Sequence, residues 1–263
     1  MILMPYQSEI QLTLLLCFVF AILWFRQLKT KNANAVDVAW SLSFTWTTLI
    51  GGYMAIQDGV SWRILLIGSL TMFWSLRLGI FLLINRVLKT KTEDGRYRRL
   101  RDEYHLGAKG FFFIYQAQVL LVLILSFPIW IAMDLDATSF RIWDLFGVLV
   151  FVLGMVAEAI ADHQLEVFKS NRANQGHTCQ VGLWKYSRHP NYFFEWIHWW
   201  AYCLFAIGSE HWIWTLTAPL VMLFFLLKLT GIPATEKQAM KSRSDYKAYQ
   251  NRTSKFFPWP PTT

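Results

Sequence analysis

Charge is what this sequence has least of. Only 16% of its 263 residues are Asp, Glu, Lys or Arg, too few to cover a soluble domain of this length. Cysteine is scarce as well. Cys17, Cys179 and Cys203 show no Cys-x-x-Cys or other metal spacing, so free buried thiols are expected and a disulfide framework is not. No Gly-x-Gly-x-x-Gly follows a strand-like run, and no Gly-x-x-x-x-Gly-Lys-Ser/Thr occurs; a Rossmann domain and a P-loop drop out. A Gly-x-Ser-x-Gly nucleophile elbow is missing too. Any nucleotide cofactor would have to be held by helix ends and loops instead.

What is there is apolar: 55% of the residues are hydrophobic and 17% aromatic. The 14 tryptophans and 10 tyrosines suit the membrane–water interface, where an apolar ring with one polar atom is at home. A spanning helix needs about 20 mostly apolar residues. Seven stretches qualify: roughly 9–26, 36–56, 62–85, 111–133, 142–165, 192–208 and 212–231. The first has neither a basic leader nor a small-residue cleavage site, so it reads as a retained helix.

Charge placement orients these spans. All of the 25 Lys and Arg residues except Arg63, Arg77 and Arg141 fall in the segments 26–35, 86–110, 166–191 and 228–263. Those segments alternate with the opposite loops only if there are seven spans. The expectation is a single all-α, polytopic domain over residues 1–263, with the N-terminus outside and the C-terminus cytosolic. Because the basic residues flank hydrophobic runs, the net charge of +8 is read as topology and not as nucleic-acid binding.

Ionisable groups inside spans are costly and mark candidate sites. Arg77 lies in "WSLRLGIFLLINR", and Glu158 and Asp162 share one helix face at i, i+4, with Lys169 near that face. Asp37, Asn85, Arg86, Asp162, Lys169, Arg188, Asn191 and Glu195 all fall near the same ends of their helices. A polar, basic-rimmed cavity open to the cytosol accounts for that convergence. "EWIH", 195–198, has the Glu-x-x-His step of di-iron bundles but lacks a second copy in the right direction; no metal is expected. The run "GRYRRLR", 95–101, reads as an inner-leaflet contact.

The most polar string near a span is "YSRHPNYFFE", 186–195. Within "GLWKYSRHPNYFFE" it resembles the C-terminal signature of the steroid 5α-reductase superfamily, most closely its bacterial DUF1295 branch. The likeness continues in "DVAWS" (37–41), "RLGIFLLINR" (77–86), "EDGRY" (93–97), "ADHQLEVFK" (161–169) and the tail from Glu236. The resemblance implies a seven-helix bundle that binds NADPH from the cytosolic side, largely through the half at about 112–263, and reduces a carbon–carbon double bond in a lipophilic substrate from the bilayer. It implies a bacterial inner-membrane location and membrane lipids as neighbours. Carried over by position, the cofactor residues are Asn85, Arg86, Glu158, Asp162, Lys169, Arg188, His189, Asn191, Tyr192, Glu195, Glu236, Lys241 and Tyr246. Asp37 and Tyr192 are the candidate catalytic groups, and Trp40, Ser43, Phe44, Trp74 and Arg77 would line the substrate pocket.

Departures from that pattern fall on one half of the pocket. The family's ketone-binding Gln-Glu pair aligns with Ser43 and Phe44, its Tyr with Trp74, and an Asn one turn before Asp162 is Glu158. The cofactor half is kept and the ketone half is not, which argues against a steroid ketone. The related membrane methyltransferases, which use S-adenosylmethionine, carry a similar Arg-His-Pro-x-Tyr string and give the alternative reading.

Overall fold

Lipid offers no partner for backbone N–H and C=O groups, so apolar runs of this length close their hydrogen bonds within helices. The computed structural model describes residues 6–56, 61–90, 92–135, 137, 139–229 and 231–262, and no strand occurs among them. Five stretches are long and apolar enough to cross a membrane: Ile10–Thr30, Trp62–Leu88, Ala108–Asp134, Ile142–Ser170 and Trp212–Ser242. The protein is accordingly an all-helical, multi-pass integral membrane protein.

The described residues fall into two compact units, Met1–Phe140 with Ala206–Thr217, and Arg141–Phe205 with Ala218–Thr263. The first contains α1 (Tyr6–Thr30), α2 (Ala35–Ile56), α3 (Trp62–Leu82), α4 (Gly95–Asp102) and α5 (Ala108–Asp134). Ser61 caps α3 by accepting the Arg63 amide at 3.2 Å, and Asp94 caps α4 by accepting the Arg96 amide at 2.9 Å. A π-helical turn, Leu83–Leu88, prolongs α3.

Hydroxyls join the helices of this unit. The Ser41 hydroxyl donates to the Ser75 carbonyl (2.8 Å), the Ser75 hydroxyl donates to the Ser41 carbonyl (2.6 Å), and the Thr45 amide donates to Ser75 Oγ (3.1 Å). Thr47 meets Ser126 of α5 at 2.8 Å, and the Trp130 indole donates to the Thr47 carbonyl at 3.2 Å. Such links between membrane helices contribute on the order of 0.6 kcal/mol each. The same Ser and Thr residues lower the hydropathy of α2, which is why it is missing from the five apolar stretches.

The second unit contains α6 (Ile142–Ser170), α7 (Pro190–Ala206), α8 (Thr217–Phe224), α9 (Ile232–Ser242) and α10 (Tyr246–Arg252). At the start of α6, the Asp144 carboxylate accepts both the Arg141 amide (2.9 Å) and its guanidinium, which also reaches the Phe205 carbonyl at 2.8 Å. α6 and α7 touch at Gly154. A Cβ there would lie 2.8 Å from His198 Cβ and 2.9 Å from the Phe194 carbonyl oxygen, so only glycine permits the approach. Pro190 opens α7, where a missing N–H costs nothing. With 17 residues, α7 is shorter than the five apolar stretches. The short helices α4, α9 and α10 are polar and leave no hydrophobic run to read.

Candidate functional site

The polar string before α7 is held in place by three other segments of its unit. Gly182 adopts φ +57°, and a Cβ on it would collide with the Gln164 side chain. The glycine lets the Leu183 amide reach Gln164 Oε1 at 2.9 Å, and beside it the Trp184 indole donates to the Ala161 carbonyl at 2.9 Å. Tyr249 of α10 donates to the Trp184 carbonyl at 2.5 Å. The tail supplies the rest: the Arg188 amide donates to the Ser254 carbonyl (2.8 Å), the Ser187 hydroxyl to the Phe256 carbonyl (2.8 Å), and the Trp259 amide to the Tyr186 carbonyl (2.9 Å).

Arg188 sits at the centre of these ties. Its Nε donates to Glu236 Oε1 at 2.7 Å, and its Nη1 to the carbonyls of Thr253 (2.7 Å) and Gln250 (3.0 Å). Glu236 also accepts from Gln250 Nε2 at 3.1 Å and lies 3.3 Å from His189 Nε2. Burial lowers the His189 pKa, and Glu236 only partly opposes it, so this imidazole is neutral near pH 7. Its ring stacks on Tyr192 with centroids 5.6 Å apart and planes 6° from parallel. Tyr246 is buried near the same carboxylate; burial, then Glu236, pushes its phenol above the usual tyrosine range.

At the second residue of α7, Asn191 Nδ2 donates to Asp162 Oδ1 of α6 at 3.0 Å. The Asn191 Oδ1 atom is buried and accepts no hydrogen bond from the described residues. An amide acceptor left so costs about 1–3 kcal/mol, so a donor from outside the protein would be welcome there. Glu158 is buried one turn earlier on α6. Glu195 is buried, accepts from the Trp199 indole at 3.3 Å and stands 3.6 Å from His198 Nδ1. The Tyr192 hydroxyl is 3.5 Å from Thr235 Oγ1. Lys169 and Lys241 are exposed.

The remaining candidates belong to the other unit. Asp37 opens α2 and is fully engaged: Arg86 and Arg96 bind Oδ2, and the Tyr97 hydroxyl donates to Oδ1 at 2.6 Å. Asp94 faces the same two guanidiniums, at 3.0 Å from Arg96 and 3.4 Å from Arg86. Burial would raise the Asp94 pKa, but the two arginines outweigh it and hold it at about 2. Burial, with Asp37 adding to it, raises Tyr97 well above its ordinary value. Asn85 bonds locally, donating to the Phe81 carbonyl at 3.1 Å and accepting from Lys89 at 3.3 Å.

The substrate-pocket candidates form an aromatic seam between α2 and α3. Phe44 is fully buried, edge-on to Trp40 (5.1 Å) and Trp74 (5.2 Å). Ser43 donates to the Ala39 carbonyl of its own helix at 2.7 Å. The Trp40 indole N–H is buried without an acceptor among the described residues. Arg77 is half-buried on α3.

Sequence reasoning missed Arg96 and Tyr97 as partners of Asp37, Asp94 as the second carboxylate on Arg86 and Arg96, and Gln250 and the Thr253 carbonyl as partners of the Arg188 cluster. "EDGRY" was visible as a string, yet its pairing with a residue 59 positions away leaves no local signal. Within the run 95–101, read from the sequence as an inner-leaflet contact, two arginines are engaged inside the protein. Arg96 turns to Asp37, and Arg101 pairs with Glu93 at 2.9 Å and lies over the Phe111 ring. Among the described residues no group of three or more His, Cys, Asp or Glu could hold a metal ion.

Residues 23–253 match the family described as "Protein of unknown function (DUF1295)". A Schizosaccharomyces pombe protein described as uncharacterised is 28% identical over 271 residues, which cover 93% of this chain and 78% of its own. That relative is eukaryotic, so a bacterial branch and a bacterial inner membrane are not supported. No solved structure matches the chain.

Proposed function

We propose that this chain, which belongs to the DUF1295 family, is a membrane-embedded, NADPH-dependent reductase of a carbon–carbon double bond in a lipophilic substrate. The observation that carries the reading is the Asn191–Asp162 pair. It offers a buried, unsatisfied amide oxygen beside a carboxylate at the entry of α7. Such acceptors suit the carboxamide N–H and ribose O–H donors of a nicotinamide nucleotide, and a helix N-terminus favours its anionic groups.

In this reading α2 and α7 complete seven spans, the N-terminus is outside, and the polar ends face the cytosol. Asn191 and Asp162 hold the donor groups of the cofactor. Arg188 has given its Nε and Nη1 to Glu236 and two carbonyls, so it positions α7 and does not grip a phosphate. Arg86, paired with Asp37 and Asp94, ties α2 to α4 in the same way. Lys169 and Lys241, both exposed residues, carry cations of the kind that suits the cofactor phosphates. NADPH supplies the hydride when bound. Tyr192, with its hydroxyl beside Thr235, is the proton donor, and Asp37 is a positioning residue.

The substrate is isoprenoid, fatty or steroid-like in its lipid solubility. A steroid ketone fits poorly, because Ser43 and Phe44 stand where the family's polarising pair would be and Trp74 where its Tyr would be. Thermal-shift titration of the purified full chain with NADPH, NADH and S-adenosylmethionine tests this. A shift with NADPH is expected. A shift with S-adenosylmethionine alone would replace the reading with a membrane methyltransferase, and no shift with any of them would replace it with a binding role.

A further inference from the structure

Three aromatic side chains beside the α7 entry stand out from the protein surface: Trp259 is 70% exposed, Phe257 56% and Tyr186 41%. They are not on a loose end. The Trp259 amide is bonded to the Tyr186 carbonyl, the Phe256 carbonyl to the Ser187 hydroxyl, and the Thr262 amide to the Arg252 carbonyl at 3.0 Å. Phe257 packs edge-on against Phe193 and Trp196, with centroids 5.8 and 5.9 Å away. Pro258, Pro260 and Pro261 fix φ and remove backbone donors that would otherwise need water. The segment 254–262 is thus a strap that holds large apolar rings outward. A fixed apolar surface of this kind marks a contact with something else.

Two further observations say what that is. The first is level. Trp184 and Leu183 are bonded to Ala161 and Gln164 of α6, where that span turns from apolar to polar. With 29 residues, α6 is about 43 Å long against a hydrocarbon core of about 30 Å. Its polar end, "HQLEVFKS", therefore stands in the headgroup region, and the strap stands beside it. Tyr and Trp are favoured at that boundary.

The second observation is charge. No Asp or Glu occurs in residues 167–194 or 246–263, which hold Lys169, Arg172, Lys185, Arg188, Lys247, Arg252 and Lys255. Arg188 is taken by Glu236, so the cations left to meet a headgroup are the exposed Lys185, Arg252 and Lys255. Aromatic rings at the boundary with such cations beside them match anionic headgroups.

We propose that the C-terminal strap, with Tyr186, is an interfacial platform that seats on anionic phospholipid and so fixes the α7 entry at the membrane surface. The claim holds whatever the site binds. It is tested with the full chain carrying Cys17→Ala and Trp259→Cys, labelled at residue 259 with a nitrobenzoxadiazole fluorophore while Cys179 and Cys203 stay buried. The protein is reconstituted in phosphatidylcholine–phosphatidylglycerol vesicles. Quenching by headgroup-spin-labelled phosphatidylglycerol should exceed quenching by the phosphatidylcholine analogue. Lys185→Gln with Lys255→Gln should reduce that preference by roughly fivefold for each cation removed. A label at Tyr186→Cys should behave alike, which guards against a local effect at 259. A fluorophore quenched only from water, one shielded from both phases by a protein neighbour, or equal quenching by the two lipids would each overturn the proposal.

Discussion

Arg188 and Glu236, 48 residues apart, are joined by a 2.7 Å bond from Nε to Oε1 that fastens the start of α7 to α9. Both side chains are nearly buried, at 10% and 13% exposure. Removing the carboxylate leaves the guanidinium uncompensated, which costs about 3 kcal/mol or more. Glu236→Gln should therefore lower the unfolding temperature in detergent with no nucleotide present. Arg188→Lys should not rescue it, because an ammonium group cannot serve Glu236 and two carbonyls with the same geometry. An unchanged melting temperature for both variants would show that the pair carries no structural weight.

Gly154 sets the approach of α6 to α7. An alanine there meets His198 and the Phe194 carbonyl below 3.0 Å, and relieving such overpacking costs about 1–3 kcal/mol. Gly107→Ala is the control, since nothing lies within 4 Å of its added Cβ. Thermal melts should separate the two variants clearly; equal melts would mean that the helices part without cost.

The aromatic seam predicts a split between stability and cofactor affinity. Phe44→Ala empties a fully buried site and should cost about 3–5 kcal/mol, while Ser43→Ala removes only a bond to its own helix and should be nearly neutral. Neither should change NADPH affinity once the protein is folded, as measured by equilibrium titration.

Much of this was legible beforehand, and the parts that were not share a cause. The start of α6 and the end of α5 follow from where polar residues give way to apolar ones and back, whereas α6 runs on to Ser170 through polar residues that no hydropathy marks. Both polar strings that matter, "EDGRY" and "RHPNY", stood out in the sequence. The helices α4, α9 and α10 did not, because no hydrophobic run announces them. Nor did the contacts themselves. Asn191 and Asp162 were both placed at helix ends, but their bond spans 29 residues and depends on the angle at which α6 meets α7. Asp37 was visible as an acid at a helix start; that it is taken by Arg86 and Arg96 follows from bringing the π-helical end of α3 and the start of α4 onto α2.

Acid should expose that second cluster. Asp94 is held at about 2 against an ordinary 3.8. Its depressed value means a stabilising contribution that is complete above 3.8 and lost as the pH falls through about 2. Asp94→Asn should flatten the pH dependence of unfolding in that window and leave it unchanged near neutrality. A variant with the wild-type acid profile would show that the arginines do not act on this carboxylate.

The most direct measurement is equilibrium binding of NADPH to the purified full chain and to Asn191→Ala, followed by isothermal calorimetry. The wild type should bind, and the variant should bind about tenfold or more weakly, as expected for losing one buried acceptor, while melting at the wild-type temperature without nucleotide. Equal affinity in the two proteins, or no binding by the wild type, would contradict the assignment of the α7 entry as a nicotinamide-nucleotide site.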